Sequence, residues 1–370
     1  MTEQMYYETF DRMEEFMTLG FEAISVPQED AKTAAKVLIE SDKRGIDSHG
    51  VGRFKPIYID RIEDGILNVE TKIDIIRETK TTALLDANDG LGHVASVKAM
   101  EIAIAKAKEY GTSMVAVKNS SHYGIAGYYS LMAAKEGMIG ITGTNARPSI
   151  APTFGVENML GTNPLTIGFP TDEDFPFVLD CATSTTQRGK IEHYARIGKE
   201  LPVGWVIDEQ GKDVTDPDIA LLGLVKGTCA LAPLGGAGEV GAGYKGYGYA
   251  TVVEVLSSAL QGGPFLTQLT GLDENGQKVP YHLGHFFMVV DIDAIVDRAA
   301  FEKQAGDIMR TLRASKKAAG EERIYTAGEK EHLAFLERSE TGIPINKAVR
   351  ESLTAVRDKY DVDFKFVWDE

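Results

Sequence analysis

The spacing of apolar and polar residues predicts helices at both ends of the chain, with alternating strands and helices between them. Over residues 6–45, apolar side chains recur every three or four positions, which is the period of an amphipathic helix. Pro27 is placed to open a second helix in this region, and Gly45 is placed to end it. Further helices are predicted up to about Glu63, over residues 297–318 and over residues 345–359.

Runs of β-branched residues predict strands in the central part. The predicted strands cover residues 73–76, 82–85, 113–117, 138–144, 165–169, 177–180 and 286–290. Helices are predicted at residues 94–110, 125–135 and 249–260, whereas residues 201–245 are rich in glycine and carry little helix signal. Helices separate the early strands, but several later strands follow loops too short for a crossover helix. We therefore expect an α/β fold with a mixed sheet.

Composition and charge exclude several classes of partner. The chain has 55 Asp and Glu against 39 Lys and Arg residues, a formal net charge of −16, and no basic run that could track a phosphate backbone. No window approaches the roughly 18 to 20 continuous apolar residues of a membrane span. The acidic N-terminus also lacks the basic-then-apolar order of a secretory signal. We expect a cytoplasmic protein that binds neither nucleic acid nor a membrane.

The cysteines and histidines do not predict a metal centre. Cys181 and Cys229 are isolated, so a thiolate zinc site cannot be built from a close pair. Among the seven histidines, only His282 and His285 lie close together in the sequence. Their apolar surroundings favour positions at a strand edge over metal ligation. We expect no metal.

The stretch KNSSHYG, residues 118–124, carries the first candidate for chemistry. A predicted strand leads into it and a predicted helix follows, so His122 should lie on a strand-to-helix turn, where α/β enzymes often place their catalytic groups. Because an imidazole titrates near neutrality, His122 is a candidate proton acceptor. A capping or hydrogen-bonding role in the turn is the alternative.

A second candidate group follows the stop at Gly45. Ser48, His49 and Arg53 lie in a glycine-punctuated turn and bring together a hydroxyl, an imidazole and a guanidinium. In the alternative interpretation, Ser48 caps the next helix and Arg53 lies on its solvated face.

The segment Gly236–Gly241 matches the dinucleotide fingerprint G-x-G-x-x-G, but its surroundings do not fit that motif. The motif requires a strand directly before it, a helix starting within it and an acidic residue at the end of the next strand. Here LAPLG precedes it, the helix is predicted to start only near Tyr247, and Glu254 falls inside that helix. A classical Rossmann fold is therefore not expected.

Three other features are compatible with a nucleotide. Lys245 is flanked by glycines ahead of a helix, which suits either a pyrophosphate contact or a flexible loop. Asp180 could orient a ribose hydroxyl or simply end its strand. Residues 325–329 are predicted to form a loop that leads into a helix at Gly328 and Glu329.

The ordered motifs SHGVGR, KNSSHYG, GTNPL, VLDCATS and YKGYG resemble the malate/L-lactate dehydrogenase family, from about Asp11 to Gly328. The resemblance implies a mixed-sheet, non-Rossmann fold with a helical domain built from both termini, residues 1–70 with 295–370, and an α/β domain of residues 71–294. It also implies a homodimer whose active site is completed across the subunit boundary.

The same resemblance implies hydride transfer between NAD(P) and a small 2-hydroxy or 2-oxo acid. It assigns His122 as proton acceptor and Ser48, His49 and Arg53 as the substrate group. Since some members use the histidine matching His49 as the acid/base, the choice between the two imidazoles stays open. The implied cofactor contacts lie within residues 177–182 and at Asp180, Cys181, Ala182, Tyr244, Lys245, Ala327, Gly328 and Glu329.

The substrate is predicted from the arginines and from one loop. A guanidinium such as that of Arg53 can hold a carboxylate through two parallel hydrogen bonds. Arg147 could hold the distal carboxylate of a dicarboxylic acid, which favours malate. Thr162 and Asn163 could frame the substrate loop, although Asn-Pro is also an ordinary turn. The predicted cofactor is NAD, with NADP possible, and the alternatives are ureidoglycolate or L-lactate dehydrogenase, a related 2-oxo acid or imine reductase, or a binding protein that has lost activity.

Overall fold

The computed structural model describes residues 4–369, and within them the chain forms a seven-stranded mixed sheet of order β2-β3-β4-β10-β5-β6-β7. Strands β3 and β4 pair in parallel, and the other neighbouring pairs are antiparallel. This confirms the predicted mixed α/β fold. The strands are β2 Asp74–Glu78, β3 Thr82–Asp86, β4 Thr112–Ser120, β5 Met138–Thr144, β6 Leu165–Phe169, β7 Phe177–Cys181 and β10 Leu283–Asp291.

The remaining strands form two short antiparallel pairs. The first pair joins β1 to β11 and so ties the beginning of the described chain to its end, and the second joins β8 to β9. Their bounds are β1 Tyr6–Glu8, β11 Ile343–Ile345, β8 Val206–Asp208 and β9 Cys229–Leu231.

The helices agree with the apolar periodicity at both ends of the chain and around the sheet. They are α1 Phe10–Ala23, α2 Gln28–Lys43, α3 Asp60–Glu63, α4 Gly92–Tyr110, α5 Gly127–Lys135, α6 Arg188–Arg196, α7 Pro217–Lys226, α8 Gly243–Ser257, α9 Arg298–Ala314, α10 Glu329–Thr341 and α11 Lys347–Lys359. A 3-10 turn over Val51–Arg53 and a π-helical turn over Phe54–Ile59 lead directly into α3. As predicted, Pro27 precedes α2 and Gly45 adopts a positive φ just after its end.

The two ends of the chain share one hydrophobic core. Met13, Phe16 and Phe54 pack with Leu353 and Phe366 in a single cluster of fully or almost fully buried side chains. Helix α9 lies elsewhere, against the sheet, where Phe301 contacts Phe169 and Arg310 pairs with Asp172. The boundary of the helical domain predicted over residues 1–70 and 295–370 stays a proposal.

Three details differ from the sequence prediction. Residues 201–245 do contain a helix, α7, whose start was signalled by Asp216, since its carboxylate accepts hydrogen bonds from the amides of Asp218 and Ile219. Helix α6 was also not predicted. Helix α8 begins at Gly243 and not near Tyr247.

The strand-edge prediction is wrong for one of the two neighbouring histidines. His285 is fully buried in β10, the central strand of the main sheet. Its two ring nitrogens bond the hydroxyls of Thr144 and Ser120 at 2.7 and 2.8 Å. These two bonds satisfy both ring nitrogens, so the buried imidazole has no polar atom without a partner.

The glycine run still does not form a Rossmann fingerprint. The strand before it, β9, belongs to the small β8–β9 pair and not to the main sheet. Glu254 is buried inside α8, where it bonds Asn163 and the amide of Leu266. Its carboxylate therefore does not lie at the end of a strand where a ribose would bind.

Helix α5 lies unusually close to the sheet at Gly140. A Cβ added there would lie 2.7 Å from the Ala133 side chain and 3.1 Å from the Ser130 backbone. We predict that Gly140→Val lowers the free energy of unfolding by about 1–3 kcal/mol, because the added methyls force α5 away from β5. Urea unfolding measures this change. Gly238→Ala, with nothing within 4 Å of the added atom, is the matched control. Equal stability of the two variants would contradict the tight contact.

Candidate active site

His122 lies in the turn between β4 and α5, as the sequence predicts. The hydroxyl of Ser121 fixes this turn by donating to the carbonyl of Gly90 and accepting from the amide of Gly92, both at 2.9 Å. Gly92 has no room for a side chain, since a Cβ there would lie 2.3 Å from the Ser121 carbonyl oxygen. The start of α4 therefore holds the turn that carries His122 by close backbone contact.

The ring of His122 is bound by a buried tyrosine. The hydroxyl of Tyr58 lies 2.5 Å from His122 Nδ1, and the amide of Gly124 donates to the same nitrogen at 3.3 Å. Burial is the main cause that lowers the pKa of His122 well below its usual value, and the neighbouring His49 and His93 add to the shift. The ring is therefore neutral at pH 7.

Ser48, His49 and Arg53 lie together and face this ring. The rings of His49 and His122 are stacked, with centroids 5.8 Å apart. Ser48 Oγ lies 2.9 Å from His49 Nδ1, and Arg53 Nε donates to the Ser48 carbonyl oxygen at 2.6 Å. Burial, followed by the charge of Arg53, lowers the pKa of His49 to about 4. Ser48 does not cap the next helical turn, because its hydroxyl bonds its neighbour's ring instead.

The buried carboxyl group of Asp42 holds this loop. Asp42 Oδ2 accepts the amide hydrogen of Val51 at 2.7 Å, and Gly50 packs directly against the same group. Arg338 pairs with Asp47 and donates to the Asp42 carbonyl oxygen at 2.6 Å, which connects the loop to α10. Burial raises the pKa of Asp42 to about 8. The carboxyl group is therefore predominantly protonated at neutral pH.

Strand β7 supplies another wall of the site. One carboxylate oxygen of Asp180 accepts from the amide of Gly127 at 2.7 Å, and the other accepts from the Thr166 hydroxyl at 2.9 Å. Asp180 thus joins β7 to β6 and to the start of α5. Cys181 and Ala182 follow it at the end of the strand, partly buried. At the start of α6, a Cβ on Gly189 would lie 3.9 Å from the Ser48 side chain. The segment after β7 therefore reaches the loop that carries Ser48.

Tyr244 and Lys245 lie exposed in the first turn of α8. The next residue, Gly246, packs against the backbone of Leu234, whose amide donates to the Thr183 carbonyl oxygen at 2.8 Å. The start of α8 is therefore next to the segment that follows Ala182. Lys245 therefore lies in a helix and not in the flexible loop that was the alternative prediction.

A cavity of about 270 Å³ lies between the loop after α2, helix α5, strand β7 and the start of α10. Its walls include Ile46, Ile125, Gly127, Asp180 and Gly328. Gly328 has φ +91° and precedes α10, and a Cβ there would lie 2.7 Å from the Pro176 carbonyl oxygen. The starts of α5 and α10 both line the cavity, so partial positive charges of two helices lie beside it.

Glu329 supports this cavity indirectly. It is almost fully buried, and its carboxylate pairs with Arg323 and Arg313 and accepts the amide hydrogen of Thr326 at 3.0 Å. Ala327 lies next to β7, where its carbonyl oxygen accepts from the amide of Val178 at 3.4 Å. The predicted contact residue Glu329 therefore holds its own loop, with both oxygens engaged by protein groups.

The three residues predicted to bind substrate occupy different environments. Arg147 is exposed and follows Ala146, which packs against Gly161. The backbone of Thr162 bonds Thr183, so these two loops and the end of β7 are neighbours. Asn163 is fully buried, and its amide group donates to Glu254 at 2.8 Å and to the Ala250 carbonyl oxygen at 3.1 Å. Its side chain thus fixes α8 in place.

Two residues of the site had no sequence signal. Tyr58 is 64 positions from His122 and falls in a run that reads as an ordinary amphipathic helix. Asp42 looks like a polar position near the end of α2. Only the tertiary arrangement shows that both are buried against catalytic candidates. Within residues 4–369, no group of three or more potential ligands could hold a metal ion, and no helix is long and apolar enough to cross a membrane.

The fold is a mixed α/β sheet without a Rossmann domain, and two imidazoles and a guanidinium lie together at the turn after β4. The sequence profile of the malate/L-lactate dehydrogenase family matches residues 9–354, and the chain belongs to this family. It is an oxidoreductase that acts on CH–OH groups. Relatives in the family use NAD(+) or NADP(+), which supports a nicotinamide cofactor.

Three similar proteins cover nearly the whole chain. Malate dehydrogenase of Pyrococcus horikoshii is 43% identical over 353 residues, 95% of each chain. The crystal structure of malate dehydrogenase from Entamoeba histolytica is 44% identical, with a TM-score of 0.94 over 98% of this chain and 100% of that one. L-sulfolactate dehydrogenase of Methanothermobacter thermautotrophicus is 34% identical over 93% of this chain and 94% of its own.

We predict that Asp42→Asn removes a pH dependence of stability. The unfolded carboxyl group ionises near pH 3.8, whereas the folded one keeps its proton to about pH 8. Between these values the folded state binds more protons, so the free energy of unfolding falls by about 1.4 kcal/mol per pH unit as the pH rises. An asparagine does not titrate, and this contribution should disappear.

Urea unfolding at pH 5, 7 and 9 measures the effect, with exposed Asp363→Asn as the control. We expect the Asp42 variant to gain stability relative to the parent protein as the pH rises, while the control follows the parent. Parallel pH profiles for all three proteins would show that Asp42 is ionised in the folded state.

Proposed function

We propose that this enzyme is an NAD-dependent malate dehydrogenase, which interconverts malate and oxaloacetate. The observation that carries the proposal is that His122, His49, Ser48 and Arg53 lie together in one cluster. The malate dehydrogenases among the similar proteins support this choice of substrate.

The cluster contains the groups that this reaction needs. When bound, the nicotinamide ring accepts a hydride from C2 of the hydroxy acid or returns it to the oxo acid. As the hydride leaves, the C2 hydroxyl must lose its proton, and a neutral imidazole can accept it. In the reverse direction an imidazolium returns a proton to the developing alkoxide. His49 and His122 are both neutral and stacked, so either ring is suited to the first step.

Arg53 is suited to hold the C1 carboxylate. Its Nε is bound to the Ser48 carbonyl oxygen at 2.6 Å, which fixes the plane of the guanidinium group. The two terminal nitrogens can then bind both oxygens of a carboxylate. This arrangement would place C2 of the substrate next to the two imidazoles.

Arg147 is proposed to hold the distal carboxylate. It lies on the loop that packs against Gly161 and Thr162, next to the end of β7. A sulfonate offers the same charge and similar oxygens, so sulfolactate is a second candidate, supported by the similar sulfolactate dehydrogenase. Lactate has no distal anion and gains nothing from this residue.

The cavity along β7 fits one half of a dinucleotide. Two helix starts line it, and at Gly328 the backbone of α10 comes too close to β7 for any side chain. Asp174 and Glu331 also lie on its wall and would repel an additional 2′-phosphate, although Arg44 and Lys135 lie there too. We propose NAD as the cofactor on this basis, with Cys181, Ala182, Tyr244, Lys245, Ala327 and Gly328 as contact residues. Asp180 and Glu329 would hold in place the walls of the cavity against which the cofactor lies.

We also propose a homodimer that pairs through α8. Tyr249, Val252 and Val255 lie at helical spacing on this helix and are about half exposed. Leu260 and Phe265, which follow the helix, are also about half exposed, and Phe265 lines a pocket together with Val255. Exposed apolar side chains grouped in this way on an otherwise acidic protein are typical of an interface. Location in the cytoplasm stays a prediction.

The substrate proposal is tested by initial rates with NADH and oxaloacetate, sulfopyruvate, pyruvate or an imine acid, with NADPH in parallel and ureidoglycolate tested oxidatively. We expect oxaloacetate with NADH to give the highest kcat/KM. Arg147→Ala should lower kcat/KM for oxaloacetate by about 10- to 100-fold and leave pyruvate unchanged, because only the former loses a charge-assisted hydrogen bond.

Arg77→Ala, an exposed arginine on β2 at the opposite edge of the sheet, is the control. If the Arg147 variant kept the parent's preference for oxaloacetate over pyruvate, Arg147 would not be the distal anion site. Activity only with another acid of the panel would overturn malate as the substrate.

The dimer is tested by light scattering after gel filtration. We expect a mass twice the 40.3 kDa of one chain, and a monomer when Val252 and Val255 are both changed to Asp, because two buried charges would replace apolar contacts. The matched control changes Ile219 and Leu222 on α7, which have the same spacing and similar exposure. A parent monomer, or an unchanged mass in the α8 variant, would contradict this interface.

A further inference from the structure

The hydrogen bonds at His122 Nδ1 determine which nitrogen of the neutral ring carries the proton. The amide of Gly124 donates to Nδ1 at 3.3 Å, and a backbone N–H can only donate. The nitrogen that receives this bond must present its lone pair. The proton of the neutral ring is therefore on Nε2.

Tyr58 reinforces this arrangement. Its hydroxyl is 2.5 Å from the same Nδ1. Because Nδ1 presents its lone pair, the phenol O–H donates to it and not the reverse. The ring of Tyr58 is fully buried against His93, neither of whose nitrogens has a hydrogen-bond partner, so His93 does not compete for the phenol proton.

We propose that Tyr58 is a positioning residue that holds His122 in the Nε2–H form, so that His122 donates a hydrogen bond to the C2 oxygen and His49 moves the proton. This inference deepens the proposed function and rests on it for the identity of the substrate. It gives the proton transfer to His49, whereas the family resemblance named His122 first as proton acceptor and left the choice between the two imidazoles open.

The hydrogen bond of His49 leaves its ring free to adopt the opposite tautomer, with the proton on Nδ1. Its Nδ1 lies 2.9 Å from the Ser48 hydroxyl, which can accept as well as donate. With Nδ1–H donated to Ser48, Nε2 keeps a lone pair for the substrate. In the oxidation of malate, the O–H bond breaks and its proton forms an N–H bond at His49 Nε2. The C2–H bond breaks as its hydride reduces NAD, and the C2–O bond becomes a carbonyl while His122 Nε2–H stays bound to that oxygen.

The direction in which the pKa of His122 changes when Tyr58 is replaced tests the proposal. Arg53 faces His122 from the loop that carries Ser48 and Arg61 faces it from α3, and both cations oppose its protonation. The titratable rings of His49 and His93 face it as well. A hydrogen bond donated by Tyr58 to Nδ1 stabilises the neutral ring, so its removal should raise the pKa of His122. If Tyr58 instead accepted a bond from Nδ1–H, its removal would lower this pKa.

The first experiment is nitrogen-15 NMR of the histidine rings in the enzyme without substrate. We expect the Nε2–H form of His122 at neutral pH, and in Tyr58→Phe a raised His122 pKa with a mixture of both forms. Tyr129→Phe is the control, because it loses a buried hydroxyl bonded to the Tyr123 carbonyl oxygen and leaves the hydrogen bonds to His122 in place. An Nδ1–H ring in the parent protein, or a lowered or unchanged pKa in Tyr58→Phe, would overturn the proposal. Because no substrate is present, this outcome is separate from the test of the proposed function.

The second experiment compares His122→Gln with His49→Gln. A glutamine amide can occupy the position of Nε2 and donate a hydrogen bond, but it cannot exchange a proton at neutral pH. We expect His122→Gln to lower kcat/KM about tenfold and to retain the ionisation in its pH profile. His49→Gln should lower kcat/KM by about 100-fold or more and abolish that ionisation. The reverse pattern, or loss of the ionisation in both variants, would show that His122 moves the proton.

Discussion

The hydrogen bond between Tyr58 and His122 joins the two parts of the molecule on which the site depends. Tyr58 belongs to the core that both chain ends build, whereas His122 belongs to the turn after β4 in the sheet. Buried hydrogen bonds are costly to break because a polar group without a partner loses its hydration. The helical core and the sheet are therefore fixed relative to each other at the point where the chemistry takes place.

Burial determines the charge of the site more than the neighbouring groups do. Desolvation lowers the pKa of His49 to about 4 and that of His93 to about 3, and it raises the pKa of Asp42 to about 8. All three side chains are then predominantly uncharged at neutral pH. Arg53 is a cation next to them, so the proposed catalytic cluster is positive in the free enzyme without any imidazolium. An acid substrate enters a site that already attracts it and that has no competing carboxylate from Asp42.

The sequence predicted the elements well where the signal is local. Strands β5 and β6 have their predicted bounds because each is a short apolar run ended by loop residues. Helices α6 and α7 were missed because they are short and pack on the small core around β8 and β9, away from the main sheet. Apolar residues lie on most sides of α7, which weakens its periodicity, and Ile191 is the single buried residue in the described α6. The Asp216-Pro217 start of α7 was a usable capping signal.

The site was predicted in parts. Ordered motifs identified His122, His49, Ser48 and Arg53, and the structure brings these four together. The partners that determine their chemistry could not be found in the same way, since Tyr58 and Asp42 look like ordinary residues of amphipathic helices. Asn163 and Glu329 show the opposite case, in which residues inside recognisable motifs have side chains committed to α8 and to the α10 loop. A motif determines the local path of the backbone. The role of each side chain depends on contacts with residues that are distant in the sequence.

The neutral site has a consequence for the direction of catalysis. In the proposed mechanism, reduction of an oxo acid needs His49 as an imidazolium, yet its pKa is about 4 in the free enzyme. A bound dicarboxylate brings negative charge to within a few ångströms of the ring, and the attraction at that distance raises the pKa of the imidazole. Protonation of the imidazole and binding of the oxo acid are then coupled. The bound substrate thus favours the imidazolium that donates a proton to it. In the oxidation direction no such uptake is needed, because the neutral ring is already the required base.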